Sequence, residues 1–325
     1  MGEFLRTSGH LSALAPSALA ELAQAADPFV IRRGDTLFRQ GMAADALYIL
    51  GNGQLEITTR IPGDTAATVG VIGPGDVVGE FALLDDGLRS AGVTATADSD
   101  GLRVPKARFM ALLADGKPWT LDLIDALRCL VASRTRATLS RIAAATRYDL
   151  PSLRAASPKQ RIDAAPDVTP LFSAIGRLAD LGADGAALLT AKGVSLALRR
   201  GTDVAVTEAP QALTLVLRGA LRAYLARPEG REQIMVHGPG EITGLISLFE
   251  GASLPLGLEA AEDTIALQLP QSAFEEMRRS PDPTALALFA AIGRQLVRDQ
   301  RRANRHFGRA VSLELFNQDN GGDAR

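Results

Sequence analysis

The chain repeats itself, and a long internal repeat constrains the architecture before any single residue is weighed. Arg32-Arg33-Gly34 recurs as Arg199-Arg200-Gly201, each followed by a strand-like run. Leu50-Gly51-Asn52-Gly53-Gln54-Leu55 answers to Leu217-Arg218-Gly219-Ala220-Leu221, with Gly53 facing Gly219. Gly73-Pro74-Gly75-Asp76 answers to Gly238-Pro239-Gly240-Glu241, and Pro105 and Phe109 fall on Pro270 and Phe274. The offset stays near 165 positions and drifts by one or two. The two halves are therefore copies of one domain, and 325 residues suffice for two domains with a core each.

The spacing of turn residues sets the domain type. In the first copy, runs at 29–32, 36–40, 46–50, 54–60, 67–72, 77–79, 91–97 and 101–104 read as short strands. Arg33-Gly34-Asp35, Gly51-Asn52-Gly53 and Pro62-Gly63-Asp64 punctuate them. Short strands at that interval predict a β-roll or jelly-roll. Residues 1–28 read as a helical lead-in, and apolar helical segments at 14–25 and 171–189 precede the two copies. Residues 106–113 begin a helix, Gly116-Lys117-Pro118 interrupts it, and 119–147 reads as one long helix. Its apolar face runs through Ile124, Leu127, Val131, Thr138 and Ile142. A second long helix is expected over 284–309. The expected fold class is α+β: two β-roll (double-stranded β-helix or jelly-roll) domains, each flanked by helices, joined by a long helix and linker. The boundaries read as 10–147, a linker at 148–170 carrying Pro151, Pro158 and Pro166, a second copy at 171–309, and a tail at 310–325.

Residues 78–91, Val-Gly-Glu-Phe-Ala-Leu-Leu-Asp-Asp-Gly-Leu-Arg-Ser-Ala, carry the chemistry. Glu80 can accept from a ribose hydroxyl, and Arg89 can hold a phosphate through two parallel N–H bonds. Between them, residues 81–84 can form a short helix whose free N–H groups face the anion. The set suits a phosphorylated sugar ring. The bland alternative is a surface loop in which both charges merely solvate a turn. The Gly73–Asp76 turn upstream and the alternating Val93-Thr94-Ala95-Thr96-Ala97 downstream argue against it.

This ordered set resembles the phosphate-binding cassette of the cyclic-nucleotide-binding domain, the β-roll of catabolite activator proteins and of protein kinase A regulatory subunits. The resemblance covers residues 10–147, and 171–309 at the level of shape. It implies a cyclic nucleotide ligand, cyclic AMP or less favourably cyclic GMP, held by Gly79, Glu80, Phe81, Ala82, Arg89, Ser90 and Ala91. Ser90 would add a hydroxyl and an N–H to the phosphate. In that family the long helix lies against the base and pairs with its copy in a partner subunit. That carries Thr138 to the adenine-contacting position, although Leu139 stands where the family has a serine. A threonine hydroxyl in a helix can equally bond its own backbone four residues back, which is the alternative for Thr138, and Arg134 and Thr135 are rival base contacts.

The second copy departs from the pattern where the chemistry lies. Leu245 stands at the place of Glu80 and Leu254 at that of Arg89, while Gly244 and the apolar turn Ile246-Ser247-Leu248-Phe249 persist. Pro255 removes a donor at the position of Ser90. A phosphate there would forfeit charge-assisted bonds of about 1.5–3 kcal/mol each. The second copy therefore reads as degenerate, kept for packing, dimerisation or relay.

Other classes are disfavoured. A formal charge of −2 gives no global attraction to nucleic acid or to an anionic membrane. No apolar run nears a bilayer span and no signal pattern opens the chain, so the cytoplasm is expected. The single Cys129 forbids an internal disulfide and an iron–sulfur cluster. His10, His237 and His306 lie outside the first roll and make no ligand set, so neither haem nor another cofactor or metal is expected. With no nucleophile elbow, P-loop or paired carboxylates, catalysis is not expected either. The catabolite-activator type carries a helix-turn-helix after the long helix, and none is read after either copy, so direct DNA contact is not expected. The six arginines of residues 294–309 read as a solvated helix face or an interface stripe. The leading expectation is a cyclic-nucleotide-gated regulator acting through its long helices on an unidentified protein partner, as a homodimer. The alternatives are a structural, dimerising protein with a vestigial cassette, and a transcription regulator of the catabolite-activator family that lacks its own reading head.

Overall fold

A computed structural model of the chain describes residues 3–60, 66–144, 152–153, 168–204, 212–228, 230–251, 254, 256–278 and 280–321. Pro62-Gly63-Asp64, Pro255 and most of the 148–170 linker lie outside the described residues. The chain divides into two compact units. The first is Met1–Arg134 with Asn304–Arg325, and the second is Thr135–Ala303.

The first unit opens with a 3-10 turn, Glu3–Thr7, and α1 (Pro16–Ala25), whose Leu19 and Leu22 are buried. Eight strands follow: β1 (Asp27–Ile31), β2 (Thr36–Phe38), β3 (Ala46–Asn52), β4 (Leu55–Arg60), β5 (Ala66–Ile72), β6 (Val77–Val78), β7 (Gly92–Ala95) and β8 (Ser99–Pro105). The one-turn helix α2 (Phe81–Leu84) lies between β6 and β7. The strands form two antiparallel four-stranded sheets, ordered β1-β8-β3-β6 and β2-β7-β4-β5. Consecutive strands thus alternate between the sheets except at β4 and β5, which form a hairpin within one sheet. Phe38, Tyr48, Leu50, Leu55, Ile72, Val78 and Val93 form its core. Then come α3 (Lys106–Ala114) and α4 (Pro118–Ala144). Gly116, at φ +72°, makes the break between them, and Pro118 starts α4 where its missing N–H costs nothing.

The second unit repeats this order. A short strand, β9 (Ser152–Leu153), precedes α5 (Thr169–Ser173), a 3-10 turn (Gly176–Leu181) and α6 (Gly182–Lys192). The roll comprises β10 (Val194–Leu198), β11 (Ala212–Arg218), β12 (Leu221–Arg227), β13 (Gly230–His237), β14 (Ile242–Thr243), β15 (Gly257–Ala260) and β16 (Thr264–Pro270), with α7 (Leu245–Glu250) after β14. Its sheets run β10-β16-β11-β14 and β15-β12-β13-β9. The strand from the linker region thereby extends the second sheet, pairing Ser152 and Leu153 with Glu232 and Arg231. Two helices follow, α8 (Gln271–Arg278) and α9 (Pro283–Gly321), the latter belonging to this unit up to Ala303. The α9 helix continues past Arg309 through residues read from sequence as a tail. No glycine or proline interrupts it between Gly308 and Gly321.

The repeat extends to individual hydrogen bonds. Gly34 N donates to Ala95 O at 2.8 Å, as Gly201 N does to Ala260 O at 2.7 Å. Arg33 N and Arg200 N each donate to an aspartate at 2.8 Å, Asp98 and Asp263. Asp76 accepts from the Gly73 amide at 2.9 Å and Glu241 from the Gly238 amide at 3.2 Å, closing the two Gly-Pro-Gly turns. Gly75 and Gly240 then bond the carbonyls of Leu50 and Val216, latching each turn to its central strand.

Gly53 and Gly219 are the sharpest steric requirement, at φ +90° and +78°. A Cβ on Gly53 would strike Ser99 Oγ and Asp98 O, and one on Gly219 would strike Asp263 O and Thr264. Gly34, at φ +92°, faces open space. Gly53→Ala is therefore expected to lose about 2–4 kcal/mol in urea unfolding, against about 1 kcal/mol for Gly34→Ala, which meets only the backbone penalty.

Candidate functional site

The cassette follows β6. Gly79 at φ +82° turns the chain inward, and a Cβ there would sit 2.5 Å from Arg89 Nη1 and 3.0 Å from Ala46 O. Only glycine meets both requirements. Glu80 then begins α2 in helical geometry. Ala82 N donates to Gly79 O at 3.0 Å and Leu83 N to Glu80 O at 3.1 Å. Those two amides are therefore engaged within the turn, whereas the sequence reading left the turn's amides to an anion. Phe81, Ala82 and Ala91 are buried and Ser90 is half-buried.

Arg89 is only 4 % exposed. Its Nη2 donates to Asp45 Oδ1 at 3.0 Å and its Nη1 to Gly79 O at 3.3 Å. The guanidinium carbon lies 4.0 Å from the centre of the Phe38 ring, within cation–π range. Nε is buried without a hydrogen-bond partner. Burial lowers the Arg89 pKa, and the charges of Tyr48, Asp45 and Glu80 oppose it. Asp45 also accepts from Arg103 Nη2 at 2.8 Å. Burial alone would raise its carboxyl, but the Arg103 hydrogen bond, its own amide and the charges of Arg89 and Arg103 carry it below the ordinary value.

Glu80, 6 % exposed, accepts from Arg134 Nη1 at 2.7 Å. Arg134 Nη2 donates to Val77 O at 2.6 Å. A residue of α4 is thus clamped to both ends of the cassette's entry turn. His10 reaches the same corner, its Nε2 lying 3.5 Å from Asp76 Oδ1. Burial first, then the Arg134 charge, lowers the imidazole's pKa.

The structure gathers Gly79, Glu80, Phe81, Ala82, Arg89 and Ala91 and adds Asp45 and Arg134. Thr138 belongs to the second unit, where its hydroxyl accepts from Gln300 Nε2 at 3.4 Å. Thr135, likewise in the second unit, donates to Gln300 Oε1 at 2.6 Å. Asp45 was missed by sequence reading because it precedes β3 and lies 44 positions from Arg89.

The second cassette keeps the turn and changes the walls. Gly244 has φ +88°, and a Cβ there would strike Ala212 O, the counterpart of Ala46 O. Leu245 is buried at the place of Glu80. Asp299 stands at the α9 position that matches Arg134 on α4, counting each helix from its first proline. It accepts from Gln295 Nε2 at 2.8 Å and lies 3.2 Å from His237 Nε2. The carboxylate–arginine pair of the first roll has become a histidine–carboxylate pair, with the sign on the helix reversed. Among the described residues no group of His, Cys, Asp and Glu is placed to hold a metal ion, and no helix is long and apolar enough to cross a membrane.

The family description "Cyclic nucleotide-binding domain" matches residues 28–115 and 198–280, more than half of the chain. The CRP-like cAMP-activated global transcriptional regulator of Mycobacterium tuberculosis is 28 % identical over 151 residues, 46 % of this chain and 66 % of that protein. The cAMP-dependent protein kinase regulatory subunit of Aspergillus fumigatus is 36 % identical over 110 residues, 34 % of this chain and 26 % of that protein. Among solved structures, the regulatory domain of Toxoplasma gondii PKA with cAMP aligns over 85 % of this chain and 89 % of that one, at 17 % identity and a TM-score of 0.32. The matched stretch thus spans less than two thirds of each curated relative.

Asp45→Asn removes the charge that faces Arg89. A carboxylate whose pKa is depressed on folding contributes stability above its unfolded value of 3.8, and that contribution is lost as pH falls through the lower folded value. Urea unfolding from pH 7 to pH 3 should show wild type above Asp45→Asn at neutral pH and the gap closing below pH 3.8.

Proposed function

The chain belongs to the cyclic nucleotide-binding domain family through both of its halves, and on that premise we propose that the first roll is a working cyclic AMP receptor that signals through α4. The observation that carries this reading is the pairing of two buried, oppositely charged cassette side chains with partners a ligand could replace. A cyclic phosphate would share Arg89 with Asp45 and offer an acceptor to the orphaned Nε. The ribose hydroxyl would donate to Glu80, in competition with Arg134.

That competition supplies the switch. A ligand shifts a two-state element only by binding one state better than the other. If the nucleotide takes Glu80, the hold of Glu80 on Arg134 weakens, and α4 gains freedom that the unliganded site denies it. In this reading the output reaches a protein partner through α4, two chains pair through their long helices, and neither DNA nor a membrane is contacted directly. The second roll contributes no cyclic nucleotide site, because Leu245 and Leu254 leave the phosphate and ribose without polar partners. No step of this function makes or breaks a covalent bond.

Calorimetric titration of the full chain with cyclic AMP should give one site per chain, and cyclic GMP should bind more weakly. Arg89→Leu should lower cyclic AMP affinity at least about a hundredfold, from the loss of two charge-assisted bonds. The variant should still unfold cooperatively, since Leu254 occupies the matching position of the second roll. Absence of heat and of a thermal shift with either nucleotide would overturn the receptor reading in favour of a structural protein with a vestigial cassette.

A further inference from the structure

The second roll carries a cavity of about 270 Å³, open on one side, where the first roll has its cassette. Leu245, Leu254, Met235 and Leu258 line it, with His237 and Asp299 at one wall. We propose that this cavity binds a small, uncharged, largely apolar molecule carrying one hydroxyl or N–H donor, such as a phenol or an indole. This site is separate from that of the first roll and does not rest on the reading of it.

Three observations select that chemistry. The first is that, among the described residues, no lysine or arginine lines it. A phosphate or carboxylate inside would meet the Asp299 carboxylate and no cation, so anions, cyclic nucleotides included, are rejected. The second is the apolar wall, which carries leucine at both positions where the first roll carries its charged ligands. The third is an unfilled polar valence. The His237 side chain is 3 % exposed, and its Nδ1 is buried without a hydrogen-bond partner. A carboxylate can only accept, so the ring nitrogen facing Asp299, Nε2, carries the proton. With that proton on Nε2, Nδ1 of the neutral tautomer is an acceptor on a residue that lines the cavity, and a buried acceptor without a donor is costly. A ligand O–H or N–H satisfies it while the hydrocarbon body fills the chamber.

Asp299 holds the imidazole in place, as a positioning residue. It is itself fixed by Gln295 at 2.8 Å and flanked by Arg302 Nη1 at 3.5 Å. Replacing His237 therefore does not strand the carboxylate.

The test uses the full chain with cyclic AMP present in excess, titrated with 4-butylphenol and with butylbenzene and followed by ligand-observed NMR and calorimetry. The phenol should bind once per chain, about tenfold more tightly than butylbenzene, the ratio expected for one buried hydrogen bond. His237→Phe should bring the two affinities within about twofold of each other. Ala223→Phe, which intrudes on the cavity, should abolish both. Failure of both probes to bind wild type would overturn the proposal. So would equal affinity for the two, or a second cyclic AMP site per chain. The wild-type comparison needs no variant, and it reads out whether or not the first roll binds cyclic AMP.

Discussion

A permanent cation buried among aromatic and aliphatic side chains has to be held from several directions at once, and Arg89 is such a cation. Desolvation of a guanidinium is expensive unless its N–H groups find acceptors and its charge finds an opposite. Here a carbonyl, a carboxylate and a ring face share that task. Each of them arrives on a different element: Gly79 after β6, Asp45 before β3, Phe38 on β2. The left-handed turn at Gly79 is required partly because the guanidinium lies against it.

The second roll separates the requirements of the fold from those of the ligand. It keeps the glycine turns, the carboxylate-closed Gly-Pro-Gly turns and the latches onto the central strand, all made by backbone groups or by side chains bonding backbone. It abandons the charged interior. The order and register of the strands common to both rolls survive that change, with the place of β2 taken by the single bridge Asp203–Glu259 and β9 added at the other edge, so the roll does not need a buried arginine to fold. Leu245, at the place of Glu80, stabilises the interior by ordinary apolar burial, while Leu254, at that of Arg89, is half-buried.

Much of this was legible in the sequence. Strand positions in the first copy were readable because Gly-rich turns punctuate alternating runs, and every segment expected there corresponds to a strand displaced by few residues. The helix break at Gly116-Lys117-Pro118 and the starts of the two long helices, expected at 119 and 284 and found one residue earlier, were equally plain. What escaped were partnerships made across the fold. Asp45 and Asp299 sit in segments whose local pattern says only "strand edge" or "helix face", and Arg134, read as a rival base contact, pairs instead with Glu80, a partnership that exists only once distant elements meet. The continuation of α9 to Gly321 was missed for a different reason. Its polar composition suggested a tail, yet helix propensity fails only at glycine and proline, and neither occurs between Gly308 and Gly321. Thr138 marks the limit of carrying a residue over from a pattern, since its hydroxyl bonds Gln300 within the second unit.

The reversed pair of the second roll also bears on how the two halves came to differ. If the copies began alike, a glutamate and an arginine faced each other where Leu245 and Asp299 now stand. Losing the glutamate first leaves a half-buried guanidinium without its carboxylate, while changing the arginine first sets two carboxylates together. Either order passes through a chain with an uncompensated interior charge, a loss of about 3–5 kcal/mol and thus a large share of a domain's stability. The divergence of the second half therefore required a fold with stability to spare, and the backbone latches it shares with the first half are where that reserve resides.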